Sequence, residues 1–551
     1  MADNQTGGDR AGEGRKKRDM GRSEWSRQKI DKRARSDQQA ETKRRKLENG
    51  EEVAVPIYAT EFSKEEIEQE ERRPKKKVAL LMGYSGTGYY GMQLTNDKKT
   101  IEGELFTALV AAGAVSKANA TDPKKSSFAR CARTDKGVHA AGNVVSLKMI
   151  IEDPDIVQKI NEKLSPQIRV WGIEQTAKSF NCYQLCDSRV YDTFLGTKIV
   201  ELAKKAGDLE EVAARQEEVS TYWDEVDEKY IKPILETVPD DIRNIVQKSL
   251  FFQEEENASD ANDNAIPQPQ PETESAQEET KKPFKLDPRQ QLIHDTIKAV
   301  KAAYLTARRA YRIPSSRVAR LQESLSRYEG TRNFHNYTIQ KTYKDPSASR
   351  FIRSFKVNPT PVVINGTEWL SLKVHGQSFM MHQIRKMVAM AALVVRCGCH
   401  PDRINDTYGP DRVAIPKAPG LGLLLERPIF DSYSSKAKTL GREPINFDKF
   451  EKEMDEFKQR EIYDRIFREE AESAAFGSFF NHIDHFTMNH FLYVTSGGIA
   501  ASTQLASAAD GKPGNSKALT SEKSGNNGSQ ALAAVESESE DEGDLPNRED
   551  S

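Results

Sequence analysis

One short segment combines the residue types that nucleophilic chemistry beside a polyanion would need. It covers residues 130–144 and reads RCARTDKGVHAAGNV. Asp135 has Arg133 and Lys136 as near neighbours, and Gly137 leaves room for a ligand close to the backbone. A carboxylate between cations stays ionised, which suits a nucleophile better than a general acid. An aspartate in an ordinary β-turn explains the same residues, and it is the favoured explanation for the segment considered alone.

The elements on either side of this segment predict an α+β fold. Thr100 can cap a first helix, and Asp153 followed by proline can start a second. Hydrophobic runs and alternating patterns predict strands at residues 78–84, 127–133, 143–150 and 169–173. The order β-α-β-β-α-β is that of a ferredoxin-like unit of about 100 residues. Asp135 would then lie in the loop between its second and third strands.

The second half of the chain predicts more helix than strand. A long helix is expected from Ser378 to Arg396, with core residues at helical spacing: Ile384, Met387, Val388, Ala391 and Val395. Other helical patterns occupy residues 200–250, 288–326 and 447–475, and strands are expected at 351–357 and 368–374. Residues 253–282 form an acidic insert with too few apolar residues to offset the entropy of ordering, so disorder is predicted there.

The two ends of the chain are biased in composition. Over the 551 residues the mean hydropathy is −0.71 and the net charge is −2, with 30% of residues charged. Residues 1–74 are predicted to be a disordered basic arm, and residues 496–551 a disordered acidic tail. Basic clusters at residues 15–18 and 43–46 favour a nuclear localisation signal bound by an import receptor. A solvated arm without that function is the alternative.

Several classes of protein are disfavoured by the same sequence. The longest nearly uninterrupted apolar run is residues 387–395, far short of the roughly 18 that cross a bilayer. The first residues, MADNQTGGDRAGEG, lack an apolar signal-peptide region, which argues against secretion. Five cysteines cannot all pair. Cys397, Cys399 and His400 are spaced too closely for one tetrahedral zinc, so ordinary cysteines at a helix end are favoured over a metal site.

Six segments, taken together, resemble one known family. The string RTDKGVHA at residues 133–140 resembles the catalytic motif of the pseudouridine synthases, specifically the family of bacterial tRNA pseudouridine synthase A and its eukaryotic nuclear relatives. Five other segments match in the same order and extend the resemblance over residues 77–433, apart from 200–325. They are KVALLMGYSGTGYYGMQ (77–93), CDSRVY (186–191), YEGTRNFHNYT (328–338), HGQSFMMHQIRKMV (375–388) and IPKAPGLGLLLERPIFDSY (415–433).

The resemblance implies a role for each matching residue. Asp135 would be the nucleophile of uridine isomerisation, Tyr191 would stack on the uracil and assist the proton step, and Arg385 would keep Asp135 ionised. Other matching residues would contact RNA: Arg130, Arg133, Lys136, His139, Arg189 and His382. The basic segment 301–320 could add phosphate contacts, with an ordinary solvated helix face as an equal alternative. Because the chemistry is neither redox nor acyl transfer, no cofactor is expected.

The resemblance also implies an architecture and partners. Two ferredoxin-like lobes would form a continuous mixed sheet with a central RNA-binding catalytic cleft. Residues 75–176 would be the N-terminal lobe and 177–433 the C-terminal lobe, the latter interrupted by the insertion 200–325. Residues 434–495 would form a C-terminal helical extension. The expected substrate is tRNA in the nucleus, together with small nuclear RNA and messenger RNA, and the expected state is a monomer.

One stretch departs from the family pattern. After Tyr191 the family continues with Glu-Tyr-Leu, whereas residues 192–196 here read DTFLG, as if roughly a dozen residues were missing from a core strand. Such a gap would remove sheet hydrogen bonds beside Tyr191. A gene-model error explains the departure, and a real variant is the alternative. The second possibility allows a different function, that of a catalytically impaired RNA-binding or folding-assistant protein.

Overall fold

A large mixed sheet forms the centre of the described structure and positions the segments that resemble the family. The computed structural model describes residues 56–196, 224–246, 288–339, 341–477, 479, 489–494 and 497–500. The strand order is β4-β1-β3-β10-β5-β9-β7-β6, with β2 paired to β3 and β8 paired to β9. The strands are β1 (Lys76–Tyr84), β2 (Ala129–Arg130), β3 (His139–Met149), β4 (Ile168–Gln175), β5 (Ser188–Gly196), β6 (Gly330–Asn333), β7 (Ser349–Val357), β8 (Val362–Ile364), β9 (Thr367–Gly376) and β10 (Leu423–Ile429). The α+β class predicted from the sequence is confirmed.

Helices pack against this sheet and extend beyond it. The described α-helices are α1 (Lys64–Glu68), α2 (Ile101–Ala111), α3 (Ile156–Lys163), α4 (Lys232–Glu236), α5 (Pro288–Ala310), α6 (Ser315–Ser326), α7 (Gln383–Arg396), α8 (Arg403–Asp406), α9 (Asp431–Thr439), α10 (Glu451–Phe457) and α11 (Asp464–Ser473). In the described part of the chain, no helix is both long enough and apolar enough to span a membrane.

The first four strands and two helices occur in the predicted order. Thr100 caps α2, because its hydroxyl accepts a hydrogen bond from the Gly103 backbone N–H. Several boundaries differ from prediction; β3, for example, begins at His139 rather than at residue 143. The second strand is limited to the pair of residues in β2, and α3 begins after Asp155 rather than at the predicted Pro154. The Asp153 side chain closes a turn there by accepting from the Asp155 N–H.

The later helices are shorter and more broken than the periodicity predicted. The pattern at 288–326 is two helices, because the chain leaves α5 at Ala310 and Pro314 precedes α6. The pattern at 447–475 is α10 and α11, joined by a π-helical segment at Lys458–Tyr463. The helix predicted from Ser378 begins only at Gln383, since His382 has a left-handed backbone with φ of 61°. Its predicted core face is buried, as expected: Ile384, Met387, Val388, Ala391 and Val395.

The expected gap after Tyr191 is absent from the sheet. Strand β5 runs without interruption to Gly196, and its pairing with β9 extends from Arg189 opposite Gly376 to Gly196 opposite Trp369. On its other side β5 pairs with β10. Residues 192–196 therefore supply the backbone hydrogen bonds that the missing block was expected to remove.

A C-terminal extension covers the face of the sheet that carries several glycines. A Cβ added at Gly172 would lie 2.5 Å from the Phe450 ring, and one at Gly142 would lie 3.0 Å from Phe447. Trp171 on β4 contacts Phe457 edge to face at 5.3 Å between ring centroids. The absence of side chains on these two β-strand positions thus leaves room for aromatic residues of the extension.

The ordered chain begins earlier than the predicted boundary at residue 74. Ser63 and Glu66 form a reciprocal capping box on α1. Tyr58 packs edge to face on Phe106 at 6.5 Å, and the Ile57 N–H donates to the Asn96 carbonyl. Residues 57–74 therefore belong to the folded part. The basic clusters, most of the insertion including 253–282, and the acidic tail from residue 501 lie outside the described residues.

Candidate active site

The loop that carries Asp135 lies directly against a glycine-rich turn after β1. A Cβ on Gly86 would stand 2.2 Å from the Val138 carbonyl oxygen, and one on Gly91 would stand 2.7 Å from that of Thr134. Gly91 also has a φ of 85°, in the left-handed region. The two backbones can approach this closely only because both positions lack a side chain. The motif around residues 84–92 thus positions the Asp135 loop.

Buried hydrogen bonds hold the same loop in place on its interior side. The Tyr84 and Thr134 hydroxyls lie 2.9 Å apart, and the Asn143 amide donates to the Ala132 carbonyl at 3.1 Å. The Met92 N–H donates to the Thr134 carbonyl at 3.1 Å. Because unpaired buried polar groups are costly, these bonds restrict the loop to one conformation.

Strand register brings the Asp135 loop and Tyr191 to the centre of the sheet. The loop leads into β3, where Ala140 pairs with Leu425 of β10 in parallel. On the other side of β10, Leu425 pairs with Tyr191 of β5. Adjacent strands are about 4.8 Å apart, so β3 and β5 are separated by one strand only. The two candidate catalytic segments therefore meet where the halves of the sheet join.

Two side chains from the start of α7 contact the Asp135 carboxylate. Arg385 Nη1 and His382 Nε2 each lie 3.5 Å from Asp135 Oδ2. The Arg385 Nε donates to the Ala418 carbonyl at 2.6 Å, which orients the guanidinium. The Asp135 side chain is 29% exposed, against 11% for Arg385 and 10% for His382. A carboxylate open to solvent is thus backed by a buried cation.

His382 and Arg385 differ in charge at neutral pH. Burial lowers the pKa of His382 to about 4, and the Asp135 carboxylate opposes this shift only partly. The imidazole is therefore neutral at pH 7, whereas the guanidinium is permanently charged. The predicted pairing of Arg385 with Asp135 is seen in the geometry. His382 itself precedes α7 in a left-handed conformation.

Tyr191 is buried beside this carboxylate. Its ring meets Phe379 edge to face, with the centroids 5.3 Å apart. Burial raises the pKa of the Tyr191 phenol, and the negative charge of Asp135 acts in the same direction. The hydroxyl therefore stays protonated at neutral pH. Phe379 was not among the residues expected at the site, although it stands three positions before His382 in the matching segment.

The predicted RNA-contacting cations are not equally accessible. Arg133 and Lys136 are exposed on either side of Asp135. Arg130 instead forms an ion pair with the buried carboxylate of Glu102. That pair leaves the Arg130 charge compensated within the protein, so a phosphate contact would compete with it.

His139 and Arg189 were predicted to contact RNA, and the structure places both side chains in the interior. His139 is fully buried on β3; its Nδ1 accepts from the Gly86 N–H at 3.2 Å, and burial lowers its pKa to about 4. Arg189 is also buried, and it donates to the carbonyls of Cys131 at 2.9 Å and Gln377 at 3.2 Å. Sequence alone could not show this, because both residues lie in motifs whose faces are decided by strand pairing. They support the site from within.

The arginines of the basic segment 301–320 differ in their exposure to solvent. Arg309 and Arg312 are exposed, whereas Arg317 is buried. Arg320 donates to the carbonyls of Gly398 and Cys399, just beyond the C-terminus of α7, where a cation interacts favourably with the helix dipole.

The cysteines near residue 400 form part of the end of α7. Cys397 is the residue that follows its last turn, and both Cys397 and Cys399 are buried free thiols. Among the described residues, no group of three or more His, Cys, Asp and Glu side chains is arranged to hold a metal ion. This arrangement matches the favoured prediction of ordinary cysteines at a helix end.

Comparison with known proteins identifies extensive similarity. A family model described as tRNA pseudouridine synthase matches residues 325–431. The tRNA pseudouridine synthase 1 of Eremothecium gossypii is 45% identical over 432 residues, which are 76% of this chain and 75% of the relative. The protein of the same name from Saccharomyces cerevisiae is 41% identical over 420 residues, which are 76% of this chain and 73% of the relative. A second protein of that yeast, named tRNA pseudouridine(27/28) synthase, is 35% identical over 406 residues, covering 73% of this chain and 97% of the relative.

Proposed function

The chain belongs to the tRNA pseudouridine synthase family, and on that premise we propose that Asp135 is the nucleophile with which it isomerises uridine. The enzyme is an isomerase acting on tRNA. The observation that carries the proposal is the contact of Arg385 with Asp135, at 3.5 Å in a partly open site. A carboxylate in contact with a fixed cation is suited to covalent attack.

The reaction rearranges bonds without any net loss of atoms. Asp135 forms a covalent bond to the nucleotide while the N1–C1′ glycosidic bond breaks. The freed uracil then turns and bonds to C1′ through C5, and the bond between Asp135 and the nucleotide breaks as this bond forms. The hydrogen on C5 leaves as a proton and N1 gains one, so the product is an isomer of the substrate. Arg385 presents a permanent positive charge to the carboxylate throughout these steps, since its guanidinium does not deprotonate.

Tyr191 is proposed to hold the uracil and assist the proton step. Its ring is already part of an aromatic contact with Phe379, which gives one wall against which a planar base can pack. Because its pKa is raised by burial, its hydroxyl is a hydrogen-bond donor at neutral pH. The Tyr191 hydroxyl can therefore give up its proton only while it accepts another proton.

The substrate must bring its target uridine out of the base stack to reach Asp135. Extrusion costs a few kcal/mol, which contacts to the RNA backbone offset. Arg133 and Lys136, exposed on the two sides of Asp135, are proposed to bind the flanking phosphates. His382 would contact the nucleotide as a neutral imidazole, because its pKa is lowered to about 4.

The wider biological assignment follows from the resemblance and the basic clusters. Small nuclear RNA and messenger RNA are proposed as further substrates beside tRNA. The clusters at residues 15–18 and 43–46 are proposed to bind an import receptor and direct the enzyme to the nucleus. The acting unit is proposed to be a monomer. Fluorescent fusions with each cluster changed to alanine would test the nuclear assignment.

The rival function, an impaired RNA-binding protein, depended on a gap in the strand after Tyr191. Strand β5 is continuous at that point, and its two ladders are complete through Thr193. This continuity supports catalysis, which is the function that we propose in preference to the rival.

The test measures release of the C5 hydrogen and RNA affinity together. tRNA transcripts made with [5-³H]uridine would be incubated with the wild type and with Asp135→Asn, which keeps the side-chain shape and removes the charge. Asp402→Asn is the matched control, because Asp402 is also paired with an arginine, Arg327, at 2.8 Å. We expect tritium release from the wild type and the control and none from Asp135→Asn, with RNA affinity of all three within about threefold. Release from Asp135→Asn at the wild-type rate would refute the nucleophile.

A further inference from the structure

One aromatic side chain next to the Asp135 loop is exposed without a packing role. Tyr90 is 49% exposed. The ammonium groups of Lys136 and Lys98 lie 4.9 Å and 5.3 Å from its ring centroid. An aromatic face with cations at such distances is typical of sites that bind single-stranded nucleic acid.

The backbone around Tyr90 is hydrogen-bonded to the Asp135 loop, while its ring is about half exposed to solvent. The Tyr90 N–H donates to the Lys99 carbonyl at 2.9 Å. Two positions after it, the Met92 N–H donates to the Thr134 carbonyl, and directly before it the Tyr89 carbonyl accepts from the Gly137 N–H at 3.4 Å. These bonds connect the chain on both sides of Tyr90 to residues within two positions of Asp135. The ring is therefore held at a fixed place on the rim of the site.

An exposed aromatic ring with two cations beside it offers a face on which a flat, negatively charged ligand can stack. The ligand at this site carries flat bases and phosphates. When the target uridine leaves the stack, the base beside it loses one stacking partner. We propose that Tyr90 stacks on this neighbouring nucleobase, while Lys98 and Lys136 bind the phosphates that flank it. This inference rests on the proposed function and adds a binding site for a second nucleotide.

Single-turnover kinetics with paired changes in protein and RNA would test the proposal. The protein variants are Tyr90→Ala and Tyr90→Phe, and the RNA variants carry an abasic residue 5′ or 3′ of the target uridine. Tyr230→Ala is the matched control, since Tyr230 is 45% exposed with Lys229 at 5.2 Å but lies in a separate helical cluster. We expect Tyr90→Ala to lose about tenfold in the ratio of maximal rate to half-saturating concentration. Tyr90→Phe and the control should stay within about twofold of the wild type.

The abasic RNA separates stacking from a general loss of structure. For one of the two abasic positions, the wild type should lose the same factor that Tyr90→Ala loses on intact RNA. Tyr90→Ala should lose nothing further on that RNA, because the contact is already gone. A Tyr90→Ala variant that retains wild-type kinetics would overturn the inference. An equal additional loss on both abasic RNAs in that variant would overturn it as well.

Failure of this inference is distinguishable from failure of the proposed function. The proposed function fails if the wild type itself forms no pseudouridine. The stacking inference can still be measured in that case as RNA affinity in the Asp135→Asn background, with and without Tyr90→Ala. If Tyr90→Ala does not fold, wild-type protein that tolerates both abasic neighbours without loss would be enough to reject stacking.

Discussion

Asp135 and Arg385 are 250 positions apart in the sequence, and their contact depends on one planar group making two bonds. The Arg385 Nε donates to the Ala418 carbonyl while Nη1 faces Asp135 Oδ2. The guanidinium can do both because its donors form a rigid fork. A lysine at this position could place a charge near Asp135 but could not be oriented by Ala418 at the same time.

The fork geometry predicts the effects of two substitutions at Arg385. Arg385→Met should lower the rate of pseudouridine formation by at least about a hundredfold, because the nucleophile loses its paired charge. Arg385→Lys should recover part of that loss, since the charge returns without the orientation. The measurement is the single-turnover rate at saturating enzyme. Activity of Arg385→Met within threefold of the wild type would mean that the ion pair has no catalytic role.

Sequence reasoning worked best for single residues whose roles depend on their type. It identified Asp135 and its pairing with Arg385 through motif matching. It did not show that His139 and Arg189 are buried, because a motif letter does not reveal whether a side chain faces solvent or the sheet. It missed Tyr90, whose importance depends on a turn that folds back onto residues 134–137. Burial and long-range contact were the missing information in each case.

At the scale of elements, the glycine-rich turn and the Asp135 loop act as a matched pair of backbones. Gly86 does not have a positive φ, so a substitution there tests the steric space around the residue and not its backbone conformation. A Cβ at this position would meet the Val138 carbonyl oxygen at 2.2 Å, a distance that backbone atoms must move apart to relieve. Moving Val138 moves the loop that begins three residues earlier at Asp135.

Gly86→Ala should therefore lower activity far more than it lowers stability. We expect a loss of about a hundredfold or more in rate, because displacements near 1 Å in an active site have effects of this order. Gly409→Ala is the control, since a Cβ there would have its nearest contact at an ordinary 3.4 Å. Rates for both variants and their urea unfolding midpoints would be measured. Equal activity of the two variants would contradict the positioning role of the turn.

The elements themselves were predictable to different degrees. Helix α2 was correctly located by its cap and its apolar face, which are local signals. Strand β5 was not, because residues 192–196 depart from the family pattern and only pairing with β9 and β10 makes them a strand. The start of α7 was placed five residues early, since the left-handed backbone at His382 has no signature in residue type.

At the scale of the whole molecule, the net charge of −2 gives no general attraction to RNA. Binding must then come from local cations such as Lys136, which is exposed beside Asp135. Lys136→Gln should lower affinity and reduce the slope of log K against log salt by about 0.7 to 0.9, as expected for one phosphate contact. Lys124→Gln, a similarly exposed lysine, should leave the slope unchanged. Filter binding at salt concentrations from about 50 mM to about 300 mM measures both the affinity and the slope for each variant.

Global stability should depend on pH through buried histidines. Burial lowers the pKa of His139 from 6.5 to about 4. As the pH falls through 6.5 the unfolded chain takes up a proton here, whereas the folded protein stays neutral until about pH 4. The stability from this group is thus complete above pH 6.5 and is lost on acidification, by up to ~1.4 kcal/mol per pH unit.

His139→Gln should consequently make unfolding less sensitive to acid. Between pH 6.5 and pH 5 the variant should lose ~2 kcal/mol less than the wild type in free energy of unfolding, whatever its own starting stability. Urea unfolding at the two pH values gives this difference directly. Parallel pH dependences of the two proteins would show that His139 is not held neutral by the fold.

The need for Asp135 in uridine isomerisation can be tested by mapping pseudouridine along an unmodified tRNA transcript. Carbodiimide labelling followed by primer extension would be applied after treatment with wild type, Asp135→Asn and Asp402→Asn. We predict stops at discrete uridines with the wild type and with Asp402→Asn. All of these stops should be absent with Asp135→Asn, while its RNA affinity is retained. The same stops with Asp135→Asn, or none with wild-type protein that still binds the RNA, would contradict the account.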